Sequence, residues 1–371
     1  RTNCLEFAKT NDLNALAVLG DKIDQQAWLL PCPNGVIDLK TGDIRPGRIN
    51  DFLLKASPIE YGGIEEKAPA WEQFLSEIFE GDTEMISYLQ RLLGYACTGL
   101  TIEHILPILW GQGRNGKGTL IETIGHVLGP LAGPIPTEML LDQGRSKGAS
   151  GPTPDIMALR GQRMVFASEA DEGRRFSPSR VKWFSGGDTL VGRAPHDRHQ
   201  TTFRPTHTLF LMTNNKPHAP ANDFAFWQRV HLLPFTLSFV DRAPAADNER
   251  RADKYLGEKL QAEASGILAW LIRGCLRWQD QGLNPPEKVK EATREYRREE
   301  DLLADWIDQC CHLDPKAVTQ SSVLYESFKE WWEENISKKV PTPQKFGRWM
   351  VKKFERRKRS GYVYFGIRPL A

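Results

Sequence analysis

Long apolar runs, paired cysteines and an initiator methionine are what this 371-residue chain lacks. No stretch approaches the ~20 consecutive apolar residues of a membrane-spanning helix, so no membrane partner is expected. The first residues show no charged-then-apolar leader, and with Arg at position 1 the chain is expected to be a cytoplasmic fragment of something longer. The six cysteines (Cys4, Cys32, Cys97, Cys275, Cys310 and Cys311) form no CxxC pair and have no histidine at zinc spacing. They read as reduced, structural thiols, with neither disulfide nor metal cluster. With 40% hydrophobic and 26% charged residues, the composition excludes wholesale disorder, and the length allows two or three domains. The net charge of +2 hides an asymmetry, since from Lys338 onward eleven Lys or Arg face one acid, Glu355. A basic surface is therefore concentrated at the C-terminus.

What the chain does have is a glycine-rich stretch between two patterned runs. Ile105–Trp110 reads as a buried strand, Leu120–Leu128 has helical apolar spacing, and Gly111-Gln-Gly-Arg-Asn-Gly-Lys-Gly-Thr119 lies between them. That is the setting of a phosphate-binding P-loop. Gly111, Gly113 and Gly116 tolerate the backbone angles that let amides wrap a phosphate, with Asn115 in the same loop. The helix start adds partial positive charge at Gly118 and Thr119, and Lys117 adds a full one. The loop suits a nucleoside triphosphate such as ATP with Mg²⁺. The usual hydroxyl after the lysine is replaced by Gly118, so either Thr119 supplies it or the metal is held by other groups and waters.

Upstream, Asn34–Ile44 alternates around a Thr-Gly turn as a β-hairpin, and Trp71–Phe79 and Thr83–Thr98 read as helices, the second capped by Asp82. This module is expected to be a scaffold without chemistry. Residues 130–155 carry enough Pro, Gly and Ser to read as one long loop. Then Arg163–Ser168 forms a second buried strand that delivers Glu169, followed by Asp171 and Glu172. Ligands of open α/β sheets bind at the carboxyl ends of strands, so Glu169 would face Lys117 and activate water, with an acid of this group near Mg²⁺.

From Lys182 to Arg204 a Gly-Gly-Asp turn precedes two short strand-like arms around a tip rich in Pro, His and Arg. A projecting cationic hairpin is the economical reading, with Lys182, Arg193, His196, Arg198 and His199 available to phosphates. A third strand, Thr208–Thr213, ends in Asn214, placed to sense a γ-phosphate. A fourth, Val230–Thr236, follows Arg229, which would act as a finger on a neighbouring subunit's nucleotide.

The ordered set GQGRNGKGT, RMVFASE, KWFSGGDTLVGR, LFLMTNNKP and FWQRVHLLPF resembles the superfamily 3 helicase core of phage and plasmid primase-helicases, related to the poxvirus-type primase-helicases. NGVIDLKTGDIRPG and YLQRLLGYACTG resemble the module that precedes that core, so the resemblance covers roughly residues 30–300. It implies Gly116, Lys117 and Thr119 in the Walker A site, Glu169 as the Walker B acid, Asn214 as sensor and Arg229 as finger. It further implies a DNA-contacting hairpin, a ring hexamer on single-stranded or forked DNA, a fused or associated primase, and a bacterial or viral-host cytosol. Ser168 and Gln228 depart from the family pattern, standing where a first acid and a second arginine are common.

Residues 250–311 read as helices, and Thr319–Glu334, Pro343–Phe354 and Gly361–Ile367 as helix, helix and strand, the order of a winged helix. Lys345, Arg348, Lys352, Lys353 and the run Arg356–Arg359 would touch duplex or forked DNA there. The expected fold is α/β: a mixed N-terminal module (1–100), an AAA+-like P-loop ATPase core with a parallel sheet (101–240), a helical region (241–312) and a basic winged helix (313–371). The expected function is an ATP-dependent DNA helicase or translocase. The alternatives are a nucleotide kinase with a GKGT loop, and an ATP-binding origin-recognition or loading module without unwinding.

Overall fold

A computed structural model describes residues 23–144, 152–169, 173–336, 338, 340–351, 353–358 and 361–370. The helical pattern before residue 23, Asp171, Glu172 and Lys352 lie outside these residues. The chain packs as two compact units, the first running to Ala219 and resuming over Ala225–Glu295, the second holding Pro220–Phe224 and the residues from Tyr296 on.

The first unit opens with an antiparallel meander, β1 (Leu29–Cys32), β2 (Gly35–Asp38) and β3 (Ile44–Arg45). Next, α1 (Pro69–Ile78) starts on a proline, whose missing N–H costs nothing in a first turn, and buries Trp71, Phe74, Leu75 and Ile78 on one face. In α2 (Thr83–Ala96) the Asp82 carboxylate accepts the Met85 amide at 3.1 Å, the cap its sequence predicts.

The core sheet follows. It comprises β4 (Leu106–Trp110), then α3 (Lys117–Leu128), β5 (Ala132–Ile135), α4 (Pro154–Ala158), β6 (Met164–Ser168) and α5 (Pro178–Ser185). The ribbon β7 (Leu190–Gly192) and β8 (Thr201–Phe203) precedes β9 (Thr208–Thr213), α6 (Phe224–Trp227) and β10 (Val230–Pro234). The five main strands are all parallel in the order β10-β4-β9-β6-β5. One expectation is corrected here: residues 130–155 do not form a single loop, because β5 lies within them. Gly133 and Pro134 read as breakers, yet β5 is an edge strand, and a proline there needs no ladder partner on its open side.

Beyond the sheet, β11 (Ser238–Val240) and β12 (Glu249–Arg251) form a short parallel ladder, so the region after residue 240 is not helical from its start. Helices α7 (Leu256–Ala262), α8 (Ala264–Gln281) and α9 (Glu287–Glu299) come next, the last residues of α9 belonging to the second unit. Helices α2 and α8 cross very closely. A Cβ on Gly94 would stand 2.1 Å from the Cys275 amide nitrogen, and one on Gly274 would stand 2.1 Å from the Gln90 carbonyl. One core thus joins the N-terminal module to the helical region, with Trp71 edge-on to Trp270 at 5.5 Å. The module is also pinned to the sheet by Arg163, just before β6. Its buried guanidinium donates to the carbonyls of Gln26 at 2.8 Å and Leu29 at 3.2 Å, and burial lowers its pKa to about 10.

The second unit runs α10 (Leu302–Cys310), β13 (Cys311–Gln320), α11 (Ser321–Asn335), α12 (Pro343–Met350), β14 (Arg356–Lys358) and β15 (Tyr362–Pro369). Its antiparallel sheet has the order β13-β15-β14, the helix, strand, helix, helix, ribbon succession of a winged helix. Trp306, Phe328, Trp331, Trp332, Phe346 and Met350 fill its core. Helix α10 packs in this core, whereas the sequence places it in the preceding helical region.

Among the described residues the five cysteines are free thiols, and no helix is long and apolar enough to cross a membrane.

Candidate functional site

The P-loop joins the end of β4 to the start of α3 at the carboxyl rim of the sheet. Two of its glycines are required by close approach. A Cβ on Gly111 would stand 2.3 Å from both the Asn115 amide and the Phe235 carbonyl, and Gly116, at φ +86°, lies against Ile78 of α1. Helix α3 begins at Lys117, so the amides of its first turn have no partners within the helix and open toward the loop.

Lys117 is 6% exposed. Its Nζ donates to the Gly111 carbonyl at 2.6 Å and to Asn214 Oδ1 at 3.2 Å, two neutral oxygens. Burial pushes its pKa down to about 8, opposed by the negative charge of Glu169. Strand β9 lies between β4 and β6, so Asn214 at its end stands between the lysine's strand and the acid's. The Asn214 backbone is held in turn, its carbonyl accepting Trp110 Nε1 at 3.0 Å. Glu169, directly beyond β6, has a left-handed φ of +58°, unusual for a residue with a side chain, and its amide donates to the Met212 carbonyl at 2.9 Å.

These groups share one cavity of about 610 Å³, lined by Gly113–Thr119, Glu122, Glu169 and Asn214 on the loop side. Phe74, Phe239 and Leu256 add apolar surface to the lining, and Asp241 and Asp253 add two carboxylates. Phe74, Phe239, Asp241, Asp253 and Leu256 belong to no sequence motif. Phe239 and Asp241 come from β11 and its end, and Asp253 follows β12; the ladder itself was not legible. Phe74 corrects the expectation that the N-terminal module is scaffold alone, because it forms part of the cavity wall.

Asn115 lines the cavity, but it is buried and its side-chain amide donates to the Phe235 carbonyl at 3.4 Å, which makes it a latch on the loop. The segment after β10 closes over the loop again where the Phe239 amide donates to the Arg114 carbonyl at 2.6 Å. Gly118 is exposed, and a Cβ there would meet nothing within 4 Å, so the missing hydroxyl is not excluded by space. Among the oxygen donors that line the cavity, the Thr119 hydroxyl and the Glu169 carboxylate are of the right chemistry for Mg²⁺. Among the described residues no three His, Cys, Asp or Glu side chains form a cluster that would hold a metal without phosphate and water.

The structure does not bring Arg229 to this cavity. Arg229 precedes Val230, which pairs with Leu106 at the amino end of the sheet, while Pro234 pairs with Trp110 beside the P-loop. Four strand steps, about 13 Å, separate the two ends. Its Nη1 donates to the Ala225 carbonyl at 2.6 Å.

The cationic hairpin is present as β7 and β8, with Leu190 opposite Phe203 and Gly192 opposite Thr201. His196, Arg198 and His199 are exposed at its tip, and Arg193 is tied at the base, its amide donating to Thr153 Oγ1 at 2.9 Å. Lys182 is corrected: it lies on α5, ahead of the ribbon. In the second unit Lys345 lies over the Trp349 ring at 5.3 Å, Arg348 is exposed, and Lys353 is ion-paired with Asp301 at 2.9 Å.

A parallel five-stranded sheet with a buried loop lysine, a strand-end amide and a strand-end carboxylate at one rim defines an α/β P-loop protein of the AAA+-like class. Comparison with known proteins narrows this. The family described as D5 N terminal like matches residues 1–80. "Putative helicase L207/L206" of Acanthamoeba polyphaga mimivirus is 28% identical over 333 residues, 86% of this chain and 34% of that protein. "Putative helicase 022R" of Frog virus 3 is 24% identical, over 85% of this chain and 40% of that protein. The chain therefore spans well under half the length of these relatives. Among solved structures, the apo NrS-1 C-terminal region is similar with a TM-score of 0.48 and 12% identity, over 82% of this chain and 78% of that one. The chain is thus similar to viral proteins named putative helicases, and its first residues resemble a D5 N terminal like segment.

Proposed function

We propose that this chain is the ATP-hydrolysing motor segment of a DNA helicase, working as a ring hexamer in the replication of phage, plasmid or related mobile DNA. The observation that carries the reading is the Lys117 ammonium held by Gly111 and Asn214 in a cavity that Glu169 also lines. A γ-phosphate oxygen offers Lys117 an anion in place of two neutral oxygens, which frees the Asn214 side chain to bond phosphate or the attacking water. Glu169 accepts that water's proton as it attacks the γ-phosphorus and the β-γ bond breaks. Mg²⁺, when bound, neutralises charge on the phosphate oxygens.

Because Arg229 stands at the far end of β10, it serves a nucleotide only across a subunit boundary, and this favours a ring over a monomer. The exposed hairpin tip, with His196, Arg198 and His199, and Arg193 at the hairpin base carry single-stranded DNA, and Lys345 and Arg348 add contacts to forked DNA in the winged helix. Lys182 and Lys353 have weaker claims, one lying off the hairpin and the other ion-paired. A primase, fused or associated, completes the whole protein in the cytoplasm.

Phosphate release from ATP, measured with and without single-stranded DNA, tests the reading. Stimulation by DNA is expected, and Glu169→Gln should lower turnover by about 10²–10³-fold while nucleotide still binds. ADP formation that depends on a nucleoside monophosphate would point instead to a kinase, and unchanged turnover in the Glu169→Gln protein would remove the catalytic role.

A further inference from the structure

The edge strand β5 delivers no residue to the cavity, yet the chain leaving it reaches back to the acid's strand. Thr137 opens a single 3-10 turn, Thr137–Met139, just past β5 and is 7% exposed. Its carbonyl accepts the Leu140 amide at 2.9 Å, and Leu140 is fully buried, so the backbone of the turn is fixed. From there the Thr137 hydroxyl donates to the Ser168 carbonyl at 2.7 Å. That carbonyl and the Glu169 amide belong to one peptide plane, and the amide donates to the Met212 carbonyl at 2.9 Å on the β9 side. Backbone pairing alone would not hold this plane from both sides. β5 and β6 pair only as far as Ile135 and Ala167, while β6 and β9 pair on to Ser168 and Met212. The Thr137 side chain supplies the bond that the shorter strand does not reach.

Glu169 depends on that hold. Its φ of +58° is one that residues with side chains rarely adopt, and turning the preceding peptide plane would take it out of that conformation and re-aim its carboxylate. Glu169 is exposed, so little packs around its side chain and its aim is set mainly by the backbone that carries it. We propose that Thr137 is a positioning residue for ATP hydrolysis, holding the Ser168–Glu169 peptide so that the Glu169 carboxylate faces the attacking water. The inference rests on Glu169 being the group that accepts that water's proton. A threonine that only satisfied its own buried hydroxyl would affect turnover through stability alone, and the two roles give different patterns in a double-mutant cycle.

The test uses the whole chain with single-stranded DNA, read as steady-state ATP turnover and as amide hydrogen exchange. Thr137→Val loses the hydroxyl and keeps the branched shape. It should lower kcat about 10–10²-fold, as a misplacement of ~1 Å does, and leave KM for ATP within about 3-fold. Thr137→Ser, which keeps the hydroxyl, should hold kcat within about 3-fold of the parent. In the Glu169→Gln protein, Thr137→Val should slow turnover no further than about 2-fold, because a residue that acts through the carboxylate has nothing left to aim. Exchange over residues 164–169 should rise in the Thr137→Val protein, while exchange over β4 stays as in the parent. Unchanged kcat, an equal further loss in the Glu169→Gln background, or a loss in Thr137→Ser as large as in Thr137→Val would each overturn the proposal. So would faster exchange across the whole sheet with a lowered melting temperature, the pattern of general destabilisation. A parent chain that hydrolyses no ATP would remove the role of Glu169 instead, and exchange, which needs no turnover, would still report whether Thr137 holds the peptide.

Discussion

The two walls of the cavity are built on different principles. The loop side is dominated by seven consecutive residues, Gly113–Thr119, and works largely through backbone: glycines that permit close approach, amides left open at a helix start, and one lysine. The rest of the lining is assembled from side chains at Phe74, Phe239, Asp241, Asp253 and Leu256, which come from α1, the β11–β12 ladder and its flanks, and α7. A phosphate presents the same charge and shape in every nucleotide, so a local motif suffices to hold it. A base and sugar need a shaped surface, and only tertiary packing brings that surface together.

The sharpest way to separate the walls is to disable each and compare ATP with tripolyphosphate, which has no base or sugar. Lys117→Ala should reduce ATP turnover by about 10²–10³-fold and weaken competition by tripolyphosphate as well, since the charge it removes faces phosphate in both. Phe239→Ala should raise KM for ATP by about 10-fold, the loss of an aromatic contact worth ~1–1.5 kcal/mol, and leave tripolyphosphate competition unchanged. If tripolyphosphate competition fell as far as ATP affinity, Phe239 would be supporting the P-loop through its bond to Arg114 and the contrast between the walls would collapse.

A smaller effect concerns pH. With its pKa near 8 in the free protein, Lys117 is charged below that value and loses its proton above it. ATP affinity should therefore decline as pH rises through about 8, and binding above that pH should take up a proton, measurable as a buffer-dependent heat. Arginine at position 117 should abolish the decline. The same shift acts on stability with the opposite sense. Between about pH 8 and the ordinary lysine range near 10.5 the unfolded chain binds the proton more tightly than the folded one, so this group's contribution to stability rises with pH across that window.

Much of the fold was legible because its signals are local. β4, β6, β9 and β10 are apolar runs, the first three leading into the P-loop, Glu169 and Asn214, and Asp82 marks the start of α2. The loop and the grouping of Lys117, Glu169 and Asn214 follow from those runs being parallel neighbours. β5 was missed because Gly and Pro carry a different meaning at a sheet edge. The ladder of β11 and β12 was missed because three-residue strands have too little periodicity to register. The distance of Arg229 from this cavity agrees with its reading as a finger for a neighbouring subunit, since it precedes a strand parallel to β4. Lys353 counted as a free cation in the sequence, yet Asp301, 52 residues earlier, neutralises it.

The close crossing of α2 and α8 bears on how the chain can be cut. Because Gly94 and Gly274 let the two backbones touch, residues that precede the P-loop and residues that follow the sheet share one interior. A fragment beginning at the P-loop strand exposes the apolar face of α8, and a fragment ending after β10 strips α2 of its cover. The parallel-sheet core is therefore not a module that can be lifted out between its own first and last strands. Its smallest independent piece is bounded by helices far apart in sequence, and limited proteolysis should nick the exposed hairpin tip between them before it cuts either helix.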